Sequence, residues 1–314
     1  MKISRISNFK KKPRAFALPM VLWAIAFLTA LILMVAGSVN NWLKEESHAE
    51  RVFRARQMAL SGLAIAMNTN ISPNDPILTK GDPKSKEGES YWVQVTSESG
   101  LINPNLWLQK PDHRTPFQVL FGHWNISEED QESAIDGLYD WQSATPLRSP
   151  HGAKADNYEA LGLEGYPPNA PFVDAREMAM VIGFAPVMKA QPKWKNYFST
   201  YNPGTININV CDKDILTDFL GITPDQADAF IKLRKGPPNA APSLTNNGLS
   251  ITNLLEAEQV IGLSPTQNNI LLNYFGISGN VRHIDSIGTC NGVVHHIIVI
   301  MAGIGNNILS WQEE

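Results

Sequence analysis

Cysteine is scarce in this chain: Cys211 and Cys290 are the only two in 314 residues. Two cysteines 79 positions apart make neither a disulfide framework nor a zinc pattern, which leaves either one bridge or two free thiols. Sequence motifs for catalysis are also missing. There is no G-x-S-x-G, no P-loop and no dinucleotide fingerprint. The histidines at 48, 113, 123, 151, 283, 295 and 296 include no i, i+4 pair of the metalloprotease kind. His295 and His296 are adjacent on a strand pattern, so they face opposite ways and cannot share a site. No nucleophile–base set follows from spacing, which names no catalytic residue and leaves an enzyme open as one reading.

Positive charge is lacking from the body. The net charge is -4, but six basic residues (Lys2, Arg5, Lys10, Lys11, Lys12 and Arg14) lie within the first 15, without an acid among them. The rest holds 20 basic against 30 acidic side chains. Such a body has no excess charge with which to displace counterions from nucleic acid.

Charge of either sign is absent from 16–39, FALPMVLWAIAFLTALILMVAGSV. As a helix these 24 residues span about 36 Å, enough for a hydrocarbon core of ~30 Å. The basic flank favours a cytoplasmic N-terminus, which puts the body across the membrane. A cleaved secretory signal is the alternative. Its apolar region would be shorter, ~7–15 residues, and here the helical pattern continues. Val52, Ala55, Ala59, Leu63 and Ala66 recur at steps of three and four, opposite Ser47, Glu50, Arg54, Gln57 and Ser61. One helix over 16–69 is expected, with 16–39 in lipid and an Ala-rich packing face beyond. Pro19 suits the first turn of a helix that starts near Phe16, although a kinked membrane helix would also accept it.

Residues 70–90 read as a connector rich in Pro, Gly, Asp and Ser. Alternation in YWVQVT predicts a strand that ends in SESGLINPN. From 106 to 275 the pattern is mainly helical, and strands are expected at 281–287, 293–301 and 307–311. One form, two apolar residues, Gly, apolar, small, Pro, occurs three times, at 181–186, 219–224 and 260–265. Gly caps one helix and Pro restarts the next, the signature of helical hairpins of the SAM-like or helix-hairpin-helix kind. They could pack the domain, or their amides could bind phosphate with help from Lys232, Arg234 and Lys235.

Acids gather around a loop: Asp136, Asp140, Asp156 and Glu159 could supply oxygens to a hard cation such as calcium, or be solvated loop acids. Gln142, Arg148 and Lys154 lie among them.

The order of these segments resembles a known family. A basic leader precedes Phe16-Ala17-Leu18 and a long membrane helix; then come SESGLINPN, IDGLYDW, GAKADNY to YPPNAPF, DAREMAMVIG and TININVCDKDIL. This is similar to the type II secretion system minor pseudopilin K, over roughly residues 10–312. The resemblance implies a type IV pilin-like, α+β protein without catalysis. A leader (1–15) would be cut by prepilin peptidase after Ala15, and Phe16 then N-methylated. A pilin-like domain with an antiparallel sheet (70–105 and 276–314) would carry an inserted α-helical domain (106–275). The protein would be single-pass in the inner membrane with a periplasmic body. It would sit at the pseudopilus tip with the I and J minor pseudopilins, helping to initiate assembly on the inner-membrane platform. Two positions depart from the usual pilin pattern. Ala15 replaces the Gly before the cut, and Met20 stands where most pilins carry Glu, a replacement characteristic of protein K. An unpaired carboxylate in lipid costs ~2.5–3.5 kcal/mol, and a tip subunit has no amino terminus above it to neutralise. Other readings are a signal-anchored enzyme or DNA-uptake protein, or a membrane-tethered adaptor outside any filament.

Overall fold

The computed structural model describes residues 17–82, 84, 87–235, 251–303 and 307–314. Helix α1 runs Ala17–Ala66. The chain divides into one unit that ends at Arg54 and another from Ala55 to Glu314.

In the second unit, β1 (Thr79–Lys80) and β2 (Glu89–Ser97) lead into the helical region. There α2 (Pro104–Leu108), α3 (Arg114–His123), α4 (Glu128–Gln142), α5 (Ala155–Glu159) and α6 (Ala185–Ala190) precede the short β3 (Ile206–Asn207). After it come α7 (Lys213–Asp218), α8 (Pro224–Lys235), α9 (Leu254–Ile261), α10 (Pro265–Tyr274) and β4 (Phe275–Gly276). The chain then returns as β5 (Val281–Cys290), β6 (Val293–Ala302) and β7 (Asn307–Glu313).

The main sheet is antiparallel, in the order β1-β2-β5-β6-β7. Because β2 pairs with β5, with Val93 opposite Ser286 and Ser97 opposite Arg282, the whole stretch from 98 to 280 is an excursion between neighbouring strands. Part of the 70–90 connector is ordered into this sheet. Asp75 caps a short 3-10 turn through the Ile77 amide, Leu78 is buried, and the Tyr91 hydroxyl donates to the Ile77 carbonyl at 3.0 Å. Composition marks this stretch as punctuation, but one buried leucine is enough to dock it.

Two cores form. In the smaller, Ala59, Leu63 and Ala66 of α1 pack on Tyr91, Val93, Val95, Ile284, Ile297, Val299 and Met301. Residues two apart on each strand share this face, the spacing a half-buried antiparallel sheet requires. The larger core belongs to the helical region and is aromatic, with Trp107, Phe117, Phe121, Trp124, Trp141, Tyr158, Phe184, Trp194, Phe219 and Phe275 among its buried members.

Candidate functional site

Three regions bear on function: the apolar half of α1, the contact of α1 with the sheet, and the junction that ties the helical region to the sheet.

Leu18–Val39 is long and apolar enough to cross a membrane. Its large side chains are exposed, Trp23 at 78% and Met34 at 76%, which in water would be a severe penalty and in lipid is none. Its hydroxyls satisfy themselves: Thr29 Oγ1 donates to the Ile25 carbonyl at 2.7 Å, and Ser38 Oγ to the Met34 carbonyl at 3.0 Å. Met20 is exposed with its apolar neighbours. Ala15 and Phe16 lie outside the described residues.

The packing face of α1 is used within the protein itself. Ala55, Ala59, Leu63 and Ala66 are buried, whereas Val52 is exposed. The approach to the sheet is close because small residues meet there. The Ser286 hydroxyl donates to the Ala59 carbonyl at 2.7 Å, and a Cβ built on Gly62 would lie 2.7 Å from Val93 Cγ2. The Ala-rich stripe read from the sequence is therefore covered by the protein's own sheet, so a neighbouring helix would have to use another face.

At the junction, buried asparagines hold irregular backbone. Asn103 caps α2 through the Asn105 amide, and its Nδ2 donates to the carbonyls of Thr200 (3.2 Å) and Asn202 (2.7 Å). Asn202 Nδ2 donates to Leu101 at 2.7 Å and Ser99 at 3.4 Å. Asn209 donates to the Ile251 carbonyl at 3.0 Å and accepts from the Ile251 amide at 2.9 Å. The Val281 amide donates to Ser99 Oγ at 3.1 Å, so the two ends of the excursion are bonded together. Gly100 is required here, since a Cβ would sit 2.8 Å from Cys211 Cα. Asn103 and Asn209 lie in the runs SESGLINPN and TININV, and Asn202 lies just before the second. The available signal was an asparagine-rich run within apolar context, where each side chain must find backbone partners if buried.

The four candidate cation ligands are not brought together. Asp136 and Asp140, one turn apart on α4, are buried. Asp136 accepts from Arg114 and, at 3.0 Å, from the His151 amide. Asp140 accepts from the Ser149 amide at 3.0 Å and its hydroxyl at 2.8 Å. Both carboxylates thus staple the loop that follows α4 back onto that helix. Asp156 and Glu159 are exposed. A buried cation sits beside this loop: Lys154 Nζ donates to the carbonyls of Asp140 and Ser143, both at 2.7 Å, and to Asn169 Oδ1 at 3.2 Å. Burial pushes its pKa below the usual lysine value. Among the described residues no group of three or more His, Cys, Asp or Glu side chains is arranged to hold a metal ion.

The cysteines do not bridge. Both are buried free thiols. Cys211 belongs to the aromatic core, with Arg234 beside it, while Cys290 ends β5 in the sheet. Burial raises the Cys211 thiol to about 11.

Two of the three repeated hairpins, α7–α8 and α9–α10, lock onto each other. Gly221 and Gly262 take left-handed conformations in their turns (φ 74° and 73°), which a side chain would strain. In each, the residue before the proline and a glutamine three on bond reciprocally, Thr223 with Gln226 and Ser264 with Gln267. Each glutamine also crosses to the other hairpin: Gln226 Nε2 donates to Ile261 at 3.1 Å, and Gln267 Nε2 to Gly221 at 2.6 Å. Two amides at each helix start, those of Thr223 and Gln226 and those of Ser264 and Gln267, are thus already occupied. Arg234 is buried, donating to the carbonyls of Ile208 and Cys211 at 2.8 and 2.5 Å. This removes the centre of the basic cluster that a phosphate-binding reading needs. The remaining copy, at Gly183 (φ 96°), packs instead on Ser133 of α4.

Comparison with known proteins adds two findings. Residues 99–192 match the family described as type II secretion system (T2SS), protein K, and the match begins at the excursion's first turn. A chain of the GspK-GspI-GspJ complex from the enterotoxigenic Escherichia coli Type 2 Secretion System has a similar fold, with TM-score 0.59 and 15% identity over 88% of this chain and 98% of that one. No curated protein sequence matches. The resemblance to the type II secretion minor pseudopilin K is borne out.

Proposed function

We propose that this chain acts as a K-type minor pseudopilin: an inner-membrane, single-pass protein with a cytoplasmic N-terminus, at the tip of a secretion pseudopilus whose assembly it helps to initiate. The observation that carries the reading is the architecture itself. One apolar helix without an ionisable side chain over Leu18–Val39 continues directly into the packing helix of a pilin-like sheet. The excursion from that sheet carries the protein K match. The similar solved chain was captured with GspI and GspJ, which supports I- and J-type pseudopilins as partners here.

In this role the protein performs no catalysis. Prepilin peptidase cuts after Ala15 and methylates Phe16; the released helix stays in the membrane until the platform extracts it. The apolar Met20 suits a tip subunit, because a carboxylate there would have no neighbouring amino terminus to pair with. The helical excursion, locked by its asparagines and hairpins, serves as a rigid cap.

The test is the N-terminal residue of protein extracted from membranes that contain prepilin peptidase. N-methylated Phe16, together with co-purification of I- and J-type partners, is the expected result. Intact Met1 in the presence of active peptidase would overturn the reading.

A further inference from the structure

Arg282 on β5 is 6% exposed, yet its Nε, Nη1 and Nη2 atoms have no hydrogen-bond partner among the described residues. Every other buried cation described above is paired: Lys154 holds three oxygens and Arg234 two carbonyls. Arg282 shares its face with Ile284 and Ser286, the side on which Ser286 bonds to α1. Its cross-strand neighbours are Ser97 and Met301. The Ser97 hydroxyl is directed to the Val281 carbonyl, and Met301 offers no oxygen. The nearest buried acid in sequence terms, Glu98, is taken by His283 at 2.6 Å.

Burying a guanidinium without an acceptor is costly, and an unsatisfied buried group of this kind calls for a missing partner. Five N–H donors in a planar fork fit one carboxylate or similar oxyanion in bidentate fashion. We infer that Arg282 is the receptor for a single carboxylate-type oxyanion, which completes the core at the Val281 end of β5. The oxyanion comes from an acidic side chain of a neighbouring subunit or from solution. The protein's own body is acidic, but none of its described carboxylates is placed to serve.

The experiment uses the full chain in detergent. Its thermal midpoint is followed while sodium chloride is exchanged for sodium formate at constant ionic strength. Wild type is expected to gain about 2–4 °C, saturably, once formate exceeds its dissociation constant several-fold. Arg282→Met is expected to show no formate response, and Arg282→Lys, which folds with a charge but lacks the fork, a weaker one. A second arm measures capture of purified I- and J-type partners. If formate lowers capture, and Arg282→Lys lowers it too, the carboxylate belongs to a partner; if formate stabilises but capture is unchanged, the anion is a free one. A wild-type midpoint insensitive to formate, with unchanged partner capture by Arg282→Lys, overturns the inference. Loss of the K-type role would instead appear as intact Met1, which leaves the formate response untouched.

Discussion

Gly288 on β5 has no room for a side chain against Ala59 on α1. A Cβ there would lie 2.2 Å from the Ala59 nitrogen and 2.1 Å from the Ala55 carbonyl oxygen. Both obstacles are helix backbone, which cannot give way by changing rotamer. Gly288→Ala is therefore expected to push α1 off the sheet and cost about 1–3 kcal/mol, the usual range for overpacking. Urea unfolding of the full chain in detergent measures it. A loss no greater than that of Gly162→Ala, a positive-φ glycine in open space, would contradict the packing argument.

Lys154 provides a second, chemically different test. Replacing it with methionine keeps most of the stem but removes the ammonium, leaving the Asp140 and Ser143 carbonyls without these partners. Hydrogen bonds from charged donors are worth more than neutral ones, and orphaned buried acceptors add a penalty. The expected loss is roughly 2–4 kcal/mol by denaturant unfolding. The exposed Lys193→Met control should stay within about 0.5 kcal/mol.

His283 gives a pH dependence. Its hydrogen bond with buried Glu98 raises the imidazole pKa above 6.5, against the opposing effect of burial, and Asp285 adds to the rise. With the folded pKa above the unfolded one, the stabilisation is fully present below about pH 6.5. It fades as pH climbs through the folded value. Unfolding midpoints between pH 6 and pH 9 should fall in wild type and fall less in His283→Gln. Equal slopes in the two proteins would dismiss the pair as a contributor.

How far the sequence could be read depended on the kind of interaction. The membrane stretch and the strands declare themselves through period and length, so α1, β2, β5, β6 and β7 were all visible beforehand. The shallow stripe of Ala55, Ala59, Leu63 and Ala66 was visible too, but not what covers it, because periodicity locates a face without naming its partner. Val52 matched the period and still ended exposed. Asp136 and Asp140 stand out as acids, but their partners, the His151 and Ser149 amides, lie on a loop whose path no local rule gives. The cysteine pair shows the same limit: spacing left a bridge open, and only the packing of Cys211 beside Arg234 separates it from Cys290. Arg282 was invisible, since a lone arginine in a strand pattern reads as solvent-facing until its strand partners are known.

The junction asparagines yield the last prediction. Asn202 reaches the Leu101, Ser99 and Thr205 carbonyls through one amide nitrogen and accepts from the Gly204 amide at 3.2 Å. Asn202→Ala removes donor and acceptor together, and Asn202→Asp, which keeps the size and the acceptor, replaces the donor with a buried charge facing three carbonyls and so loosens the junction further. Because the bonds link the start of the excursion to the segment before β3, their loss should loosen that junction before it affects the sheet. Hydrogen exchange is expected to quicken at the amides of Ile102 and Ser199, which bond the Tyr197 and Ile102 carbonyls across the same junction. Amides in the β5–β6 ladder should keep their protection. The excursion has its own aromatic core, so the two parts can lose their connection without either unfolding. Equal acceleration in both regions would mean that the junction and the sheet open as one unit. A rigid cap hinged at these asparagines would then be the wrong description.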